Sequence, residues 1–498
     1  MDNTLSGRIS SGPSALLRDE LLDPQFAYEA EHLLPYYVQI ERTLVAEYAR
    51  MRLISPEQAR ELDGLLCGAT REVITGQQQA NMSDIAFALE RHVESGLSAP
   101  VPAWHLDRSR NDLQACAQLM FARNRLVGAA RSLLDFQAAA RELAAATVDL
   151  PMPGYTHHQA AQIITPGFYL AAVSEHVQHT LRRLLATYDG IDACPLGAGA
   201  MSGQELPWDR DRMASLLGFR RAQPNALMSV ASRGWALEIT AEFGVLGVAL
   251  SRFATDLLAW GSSEYGFIDL PDELSGISSA MPQKKNFPIL ERIRGRSSHL
   301  SSFHIDVTLG QRNTPYSNTV EVSKEAGAHV YQAFEALRST MRLFTEVLRH
   351  LSFRTDRMAE VCEREFLGGF ALANSLTLRE EVPWRRAQVI AGRYIVAAVA
   401  AGRKPAEGDP ELLRRAALDQ GHELADPAAT LGDAFDVGQA LRRMRSSGSA
   451  HPDAVRTALG AQQEEHERLV REWAERAAAT AGTTGEDGNG SAREPHGG

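Results

Sequence analysis

Cysteine is scarce in this chain: Cys67, Cys116, Cys194 and Cys362 are the only four in 498 residues, far apart and without a C-x-x-C pair. That excludes a disulfide framework and a cysteine zinc site, and it points to a reducing cytoplasm. Aromatic residues make up only 7%, and continuous β-branched runs are few, which argues against a sheet-built core. Positive charge is not in excess: the net charge is −11, so a general nucleic-acid surface is excluded. A long uninterrupted apolar run is also lacking, because the richest stretch, 235–260, is broken by Glu238, Glu242, Arg252 and Asp256. With a polar N-terminal stretch that has no apolar h-region, neither a membrane span nor a signal peptide is expected.

What the chain has instead is helical pattern. Leu33, Tyr37, Ile40, Leu44, Tyr48 and Met51 recur at three- and four-residue spacing, one face of an amphipathic helix. Ser55-Pro-Glu-Gln58 is a helix start with an N-cap serine, proline at the first position and glutamine at the third, and that helix stops near Gly68. Longer helical stretches run over about 111–147, 167–188, 226–262, 288–309 and 319–351. A helix of about thirty residues spans roughly 45 Å, more than a monomeric globule covers, so the apolar faces call for partners from other subunits. The expectation is an all-α protein: an N-terminal helical domain over 1–108, a central long-helix bundle over 109–360 that forms an oligomer core, a smaller helical domain over 361–479, and a disordered tail over 480–498 rich in Gly, Thr and Glu.

Chemistry-bearing residues cluster in a few stretches. Residues 275–288 read Ser-Gly-Ile-Ser-Ser-Ala-Met-Pro-Gln-Lys-Lys-Asn-Phe-Pro, a polar turn-forming run between helices that suits a small anion. Residues 105–112, His-Leu-Asp-Arg-Ser-Arg-Asn-Asp, end where a long helix begins, and unpaired amides and the dipole favour an anion there. Ser109, Arg110 and Asn111 are candidates to hold a carboxylate; the alternative is an N-cap flanked by surface arginines. Gly154-Tyr-Thr-His-His-Gln-Ala-Ala-Gln162 places a hydroxyl and two imidazoles just before another helix, and histidine suits proton transfer near neutral pH. The glycine-rich run 195–203 follows helix rather than strand, so it is no nucleotide fingerprint. A structural role is expected for it.

The run Ser-Ser-Ala-Met-Pro-Gln-Lys-Lys-Asn resembles the signature loop of the fumarase/aspartase superfamily in its argininosuccinate lyase form. The segments at 105–112 and 154–162 resemble the same family, and so does Tyr316 through Glu325; the likeness is dense in five segments between about 84 and 400. It implies a homotetramer with active sites shared between subunits, no cofactor and no metal, and a β-elimination that releases fumarate from an N-substituted aspartate. By that resemblance Ser278 is the base, Lys284 and Asn286 hold the developing aci-carboxylate, and His157, oriented by Glu291, assists the leaving nitrogen. Ser109, Arg110, Asn111, Thr156, Tyr316, Glu321 and Lys324 fall at substrate-binding positions, and Asp107 is read as a partner for Arg108.

Departures bear on the substrate. Ile277 stands where the family has glycine, Phe287 where it has proline, Ala86 where it often has histidine, Glu321 where it has glutamine, Ser323 and Gly234 where it has aspartate. They lie toward the amine side, so the fumarate half is expected to be retained, with argininosuccinate or an analogue as substrate and the leaving amine open between arginine and another amine. The competing readings are a superfamily lyase acting on another succinyl-amine, adenylosuccinate-type included, and an inactive structural homologue.

Overall fold

The structure, a computed structural model, describes residues 12–76 and 84–481. Most of the expected tail lies outside the described residues. The major helices, in chain order, are α1 (Asp23–His32), α2 (Leu34–Arg50), α3 (Pro56–Cys67), α4 (Ile85–Gly96), α5 (Arg110–Ala146), α6 (Pro166–Ile191), α7 (Gly234–Trp260), α8 (Pro288–Gln311), α9 (Val330–His350), α10 (Gly369–Glu380), α11 (Trp384–Ala400), α12 (Pro410–Leu418) and α13 (Pro452–Ala481). Among the described residues strand is confined to two-stranded pieces, the longest being β1 (Met152–Thr156) paired antiparallel with β2 (Gln159–Ile164).

Local chemistry sets the helix starts. Ser55 and Gln58 close the capping box of α3, Ser109 caps α5, and Thr165 followed by Pro166 starts α6. At 37 residues, α5 is roughly 55 Å long. It packs with α6 and α9, and α7 with α8, into the bundle.

Two expected helices are interrupted. The stretch 226–262 breaks after a short helix, Ala226–Ala231, because Ser232 is extended and the Arg233 guanidinium takes the carbonyls of Val230 and Ser232 at 2.9 and 3.1 Å. Those carbonyls are thereby satisfied outside a helical ladder. The stretch 319–351 divides into Val320–Ser323, a 3₁₀ turn at Glu325–Gly327 and α9.

One hydrophobic core runs from Tyr37 and Tyr48 through Leu126, Leu246 and Phe344 to Leu469 and Trp473. The N-terminal helices and α13 thus share the bundle's interior, although α13 falls in the 361–479 stretch. A second core, built on Leu372, Leu376, Ile390, Tyr394 and Leu413, holds α10 to α12 together. Among the described residues α7 is the one helix long and apolar enough to cross a membrane by length and composition, and half of that stretch is buried inside the protein.

Candidate active site

The start of α5 is fixed by buried polar contacts. Arg108 pairs with Glu41 of α2, the two side chains 4% and 3% exposed. Asp107 does not pair with Arg108 as expected; its carboxylate accepts from the amides of Leu206 and Glu205 at 2.8 and 3.2 Å and from Trp208 Nε1 at 3.0 Å. Partial burial pushes the Asp107 pKa up, but those donors hold it below the usual carboxylate range. His105 is kept neutral by burial and by Arg108, with a pKa of about 2. Ser109 Oγ accepts the Asn111 amide at 3.2 Å, and Asn111 Nδ2 donates to the Ala200 carbonyl at 3.0 Å. Arg110 lies 3.9 Å from Asp84. The capping role of Ser109 is therefore real, and Arg110 and Asn111 sit with it on the first turn.

The glycine-rich run has the structural role expected of it. Asp112, 1% exposed, accepts the amides of Gly197 and Gly199 at 2.9 and 3.0 Å through a single oxygen, Oδ2. Both glycines have positive φ, +83° and +62°, the left-handed conformation that side chains resist. Burial raises the Asp112 pKa to about 7 despite those amides.

Thr156, His157 and His158 belong to a β-hairpin rather than a plain loop. Thr156 pairs with Gln159, so His157 and His158 form a two-residue turn with φ of +52° and +60°, the primed geometry that hairpin twist selects. All three side chains are exposed. Among the described residues neither His157 nor Glu291 makes a side-chain hydrogen bond or ion pair, so the expected His157–Glu291 pairing is not formed within one chain.

The signature stretch is also a hairpin: Gly276 pairs with Asn286 and Ile277 with Lys285, and 278–284 form the loop between them. Ser278 Oγ accepts the amides of Met281 and Ala280 at 3.0 and 3.4 Å. Lys284 is exposed, whereas Lys285 is pinned to Asp269 and Asp272 at 3.1 and 3.2 Å and to the Leu270 carbonyl. Of the two lysines, Lys284 is the one without an ion pair among the described residues. A Cβ on Gly276 would lie 2.8 Å from Pro288, and one on Gly261 would lie 2.8 Å from the Phe287 ring. Phe287 thus seats the hairpin's return strand against the end of α7, while Ile277 is 92% exposed.

Tyr316 and Glu321 are exposed; Glu321's own amide and the Thr319 hydroxyl hold its carboxyl below the usual range. Lys324 is not free. It pairs with Glu29 of α1, a carboxylate 2% exposed that also accepts the Ile85 amide at 3.2 Å. Gln118 links this region to α7: its Nε2 donates to the Ser323 carbonyl at 2.7 Å, and its Oε1 accepts from Arg233 Nε at 2.8 Å. A cavity of about 560 Å³ opens here, lined by Glu29, Asp84, Gln118, Arg233 and Lys324, by Glu20, Gln25, Ser323 and Glu325, and by apolar side chains. Glu29 and Gln118 carried no sequence signal, since each lies alone in a helical pattern. Asp84 and Arg233 lie within the span of the family likeness but outside the motif segments themselves.

An all-helical bundle that carries Ser-Ser-Ala-Met-Pro-Gln-Lys-Lys-Asn on a hairpin and begins its longest helix at an arginine-bearing polar run is a lyase of the fumarase/aspartase type. Residues 70–300 match the family model described as Lyase. The chain is 31% identical over 376 residues to the argininosuccinate lyase of Synechococcus sp., covering 74% of this chain and 76% of that one. It is 27% identical over 465 residues to the enzyme of the same name from Methanothermobacter thermautotrophicus, covering 92% and 97%. The crystal structure of EDDS lyase in complex with formate superposes with a TM-score of 0.84 at 26% identity, over 96% of this chain and 94% of that one. The chain belongs to the argininosuccinate lyase family.

Proposed function

We propose that this protein is a C–N lyase that splits argininosuccinate, or another N-substituted aspartate, into fumarate and a free amine or guanidine. The reading is carried by the Ser278 hairpin, whose sequence and backbone together provide a base beside a lysine and an amide in a member of this family. Ser278 Oγ, as alkoxide, takes the proton from the carbon next to the substrate carboxylate. The electron pair becomes the new double bond, the C–N bond breaks, and the nitrogen leaves with a proton supplied by His157 or by a water it holds. Two backbone amides already point at Ser278 Oγ, and such donors favour its ionised form. Lys284 and Asn286 stabilise the dianionic intermediate, the electrostatic contribution that is usually the largest. Ser109, Arg110, Asn111, Thr156, Tyr316, Glu321 and Lys324 bind the substrate.

The site is assembled between subunits of a cytoplasmic homotetramer. His157 and Glu291 each lack a partner within the described chain, and Val245, Val248, Ile305 and Leu309 present apolar side chains outward from α7 and α8. A place in arginine biosynthesis follows if the amine is arginine, and a specialised pathway if it is another.

Ultraviolet absorbance of fumarate, recorded on adding argininosuccinate and a panel of succinyl-amines, is the direct test. Release from at least one substrate, abolished in Ser278→Ala, is expected. Silence with every substrate would sink the proposal. Mixing Ser278→Ala with His157→Ala protomers should recover part of the activity, and recovery would be nil if both groups served the same site from one chain.

A further inference from the structure

A second cavity, of about 810 Å³, lies between α10, residues 429–434 and 440–445, and strand β2. None of the residues assigned to the lyase site lines it. A glycine shapes one wall: a Cβ on Gly368 would collide with the Ala434 carbonyl, so α10 starts against that loop only without a side chain there. Leu431 and Ala434 of the lining also belong to the second core, and Leu367 and Ala440 pack with Ile163 of β2. The cavity therefore joins the C-terminal unit to the root of the histidine hairpin.

Its charged residues are three arginines, Arg379, Arg443 and Arg445, against one aspartate, Asp433. Asp433 is taken by Arg443 at 3.2 Å; that arginine also donates to the Asp433 and Ala434 carbonyls and leaves its Nε buried without an acceptor. Arg379 and Arg445 are exposed and form no ion pair or side-chain hydrogen bond among the described residues. Glu380, next to Arg379 in the chain, is turned to the amides of Ala425 and Asp426 and to the Thr430 hydroxyl. Two guanidinium groups thus stand at the cavity without a counter-ion.

The helix wall is open as well. Phe370, Ala371, Asn374, Ser375 and Leu378 recur at helical spacing on one face of α10 and all line the cavity. Phe370 and Leu378 are 60% and 82% exposed, so no other part of the described chain covers them. Exposed apolar groups beside unmatched cations in a concavity of small-molecule size are the complement of an amphipathic anion.

We infer that this cavity is a further ligand site, for a small molecule with an apolar body and an oxyanion head, carboxylate or phosphate. Arg379 and Arg445 take the head, and Phe370 and Leu378 take the body. The inference does not rest on the lyase reading.

Isothermal titration calorimetry on the full chain tests it, with fumarate in excess, 2-naphthoate and 2-naphthyl phosphate as probes and 2-naphthamide as the neutral control. Expected is saturable binding of at least one anion, about fivefold or more tighter than the amide; the tighter of the two names the head. Arg379→Gln and Arg445→Gln should each weaken that anion about two- to fivefold, the range of an exposed ion pair, and leave the amide unchanged. Leu378→Asn should weaken anion and amide alike. All three side chains face solvent, so the fold should tolerate these changes, and thermal melting checks that it does; should one variant unfold, the other two and the anion-against-amide comparison decide. Silence with both anions, equal binding of anion and amide, or anion binding that the arginine variants leave unchanged overturns the inference. So does a change of oligomeric state in Leu378→Asn, read by light scattering, which would make this face a subunit contact. Fumarate release should be the same in both arginine variants as in the wild type; its loss there would place Arg379 and Arg445 in the lyase site and overturn the inference.

Discussion

Lys324 donates its Nζ to Glu29, joining the segment before α9 to the first major helix in a pair that is almost wholly buried. Burial pushes the Glu29 carboxyl up, ahead of the lowering by Lys324. A lysine proposed to bind substrate is therefore held by a carboxylate from far away in sequence.

Breaking that pair from one side should be expensive. Lys324→Met leaves the Glu29 charge buried and alone, and a loss of about 3–5 kcal/mol in urea unfolding is expected. Adding Glu29→Gln to the same chain removes the charge but keeps an acceptor for the Ile85 amide, so most of that loss should return. If Lys324 binds substrate as proposed, fumarate release should stay low in both variants, because that lysine is gone from each. Activity regained by the double variant would remove Lys324 from the substrate site.

Asp112 sets a pH dependence of stability. Its folded pKa of about 7 stands above the ordinary 3.8, so the native state binds the proton more tightly than the unfolded chain. Its contribution is most favourable in acid and is lost as pH rises from about 4 to 7. Asp112→Asn can keep both glycine amides on one oxygen, because both bonds reach Oδ2 alone. The variant should match the wild type near pH 4 and exceed it by about 1–4 kcal/mol at pH 8. Parallel stability curves across that range would refute the buried-charge account.

The two turn histidines should separate cleanly. His157→Ala is expected to lower kcat by about 10²–10⁴, the usual worth of a placed proton-transfer group. His158→Gly should keep activity and leave the protein about 0–1 kcal/mol more stable, since glycine relieves the positive φ of +60° at some entropic cost. A larger kcat loss from His158→Gly than from His157→Ala would exchange their roles.

The helices were legible because their signals are local: Ser55 to Gln58 spells its own cap, and the tyrosine and leucine spacing of α2 shows its buried face. The breaks at Ser232–Arg233 and at Lys324 were not, because they go with side-chain partners that a sequence pattern does not show: Arg233 reaches back to the carbonyls of Val230 and Ser232, and Lys324 pairs with Glu29. Nor were the hairpins. His-His is not a turn dipeptide, and the left-handed pair it adopts is imposed by the strands on either side. Of the site, Ser278, Lys284 and the first turn of α5 could be picked out from contiguous motifs. Glu29 and Gln118 could not, since what singles them out is a partner hundreds of residues away.

The signature hairpin is held to itself by only two residue pairs, Gly276 with Asn286 and Ile277 with Lys285. Its opening would break that short ladder and the Lys285 contacts to Asp269, Asp272 and the Leu270 carbonyl and leave α8 intact, so the segment that carries Ser278, the proposed base, can swing on a far faster clock than the bundle unfolds. If that swing lets fumarate out, turnover should slow in proportion to solvent viscosity. A slower substrate, limited by proton abstraction, should ignore it.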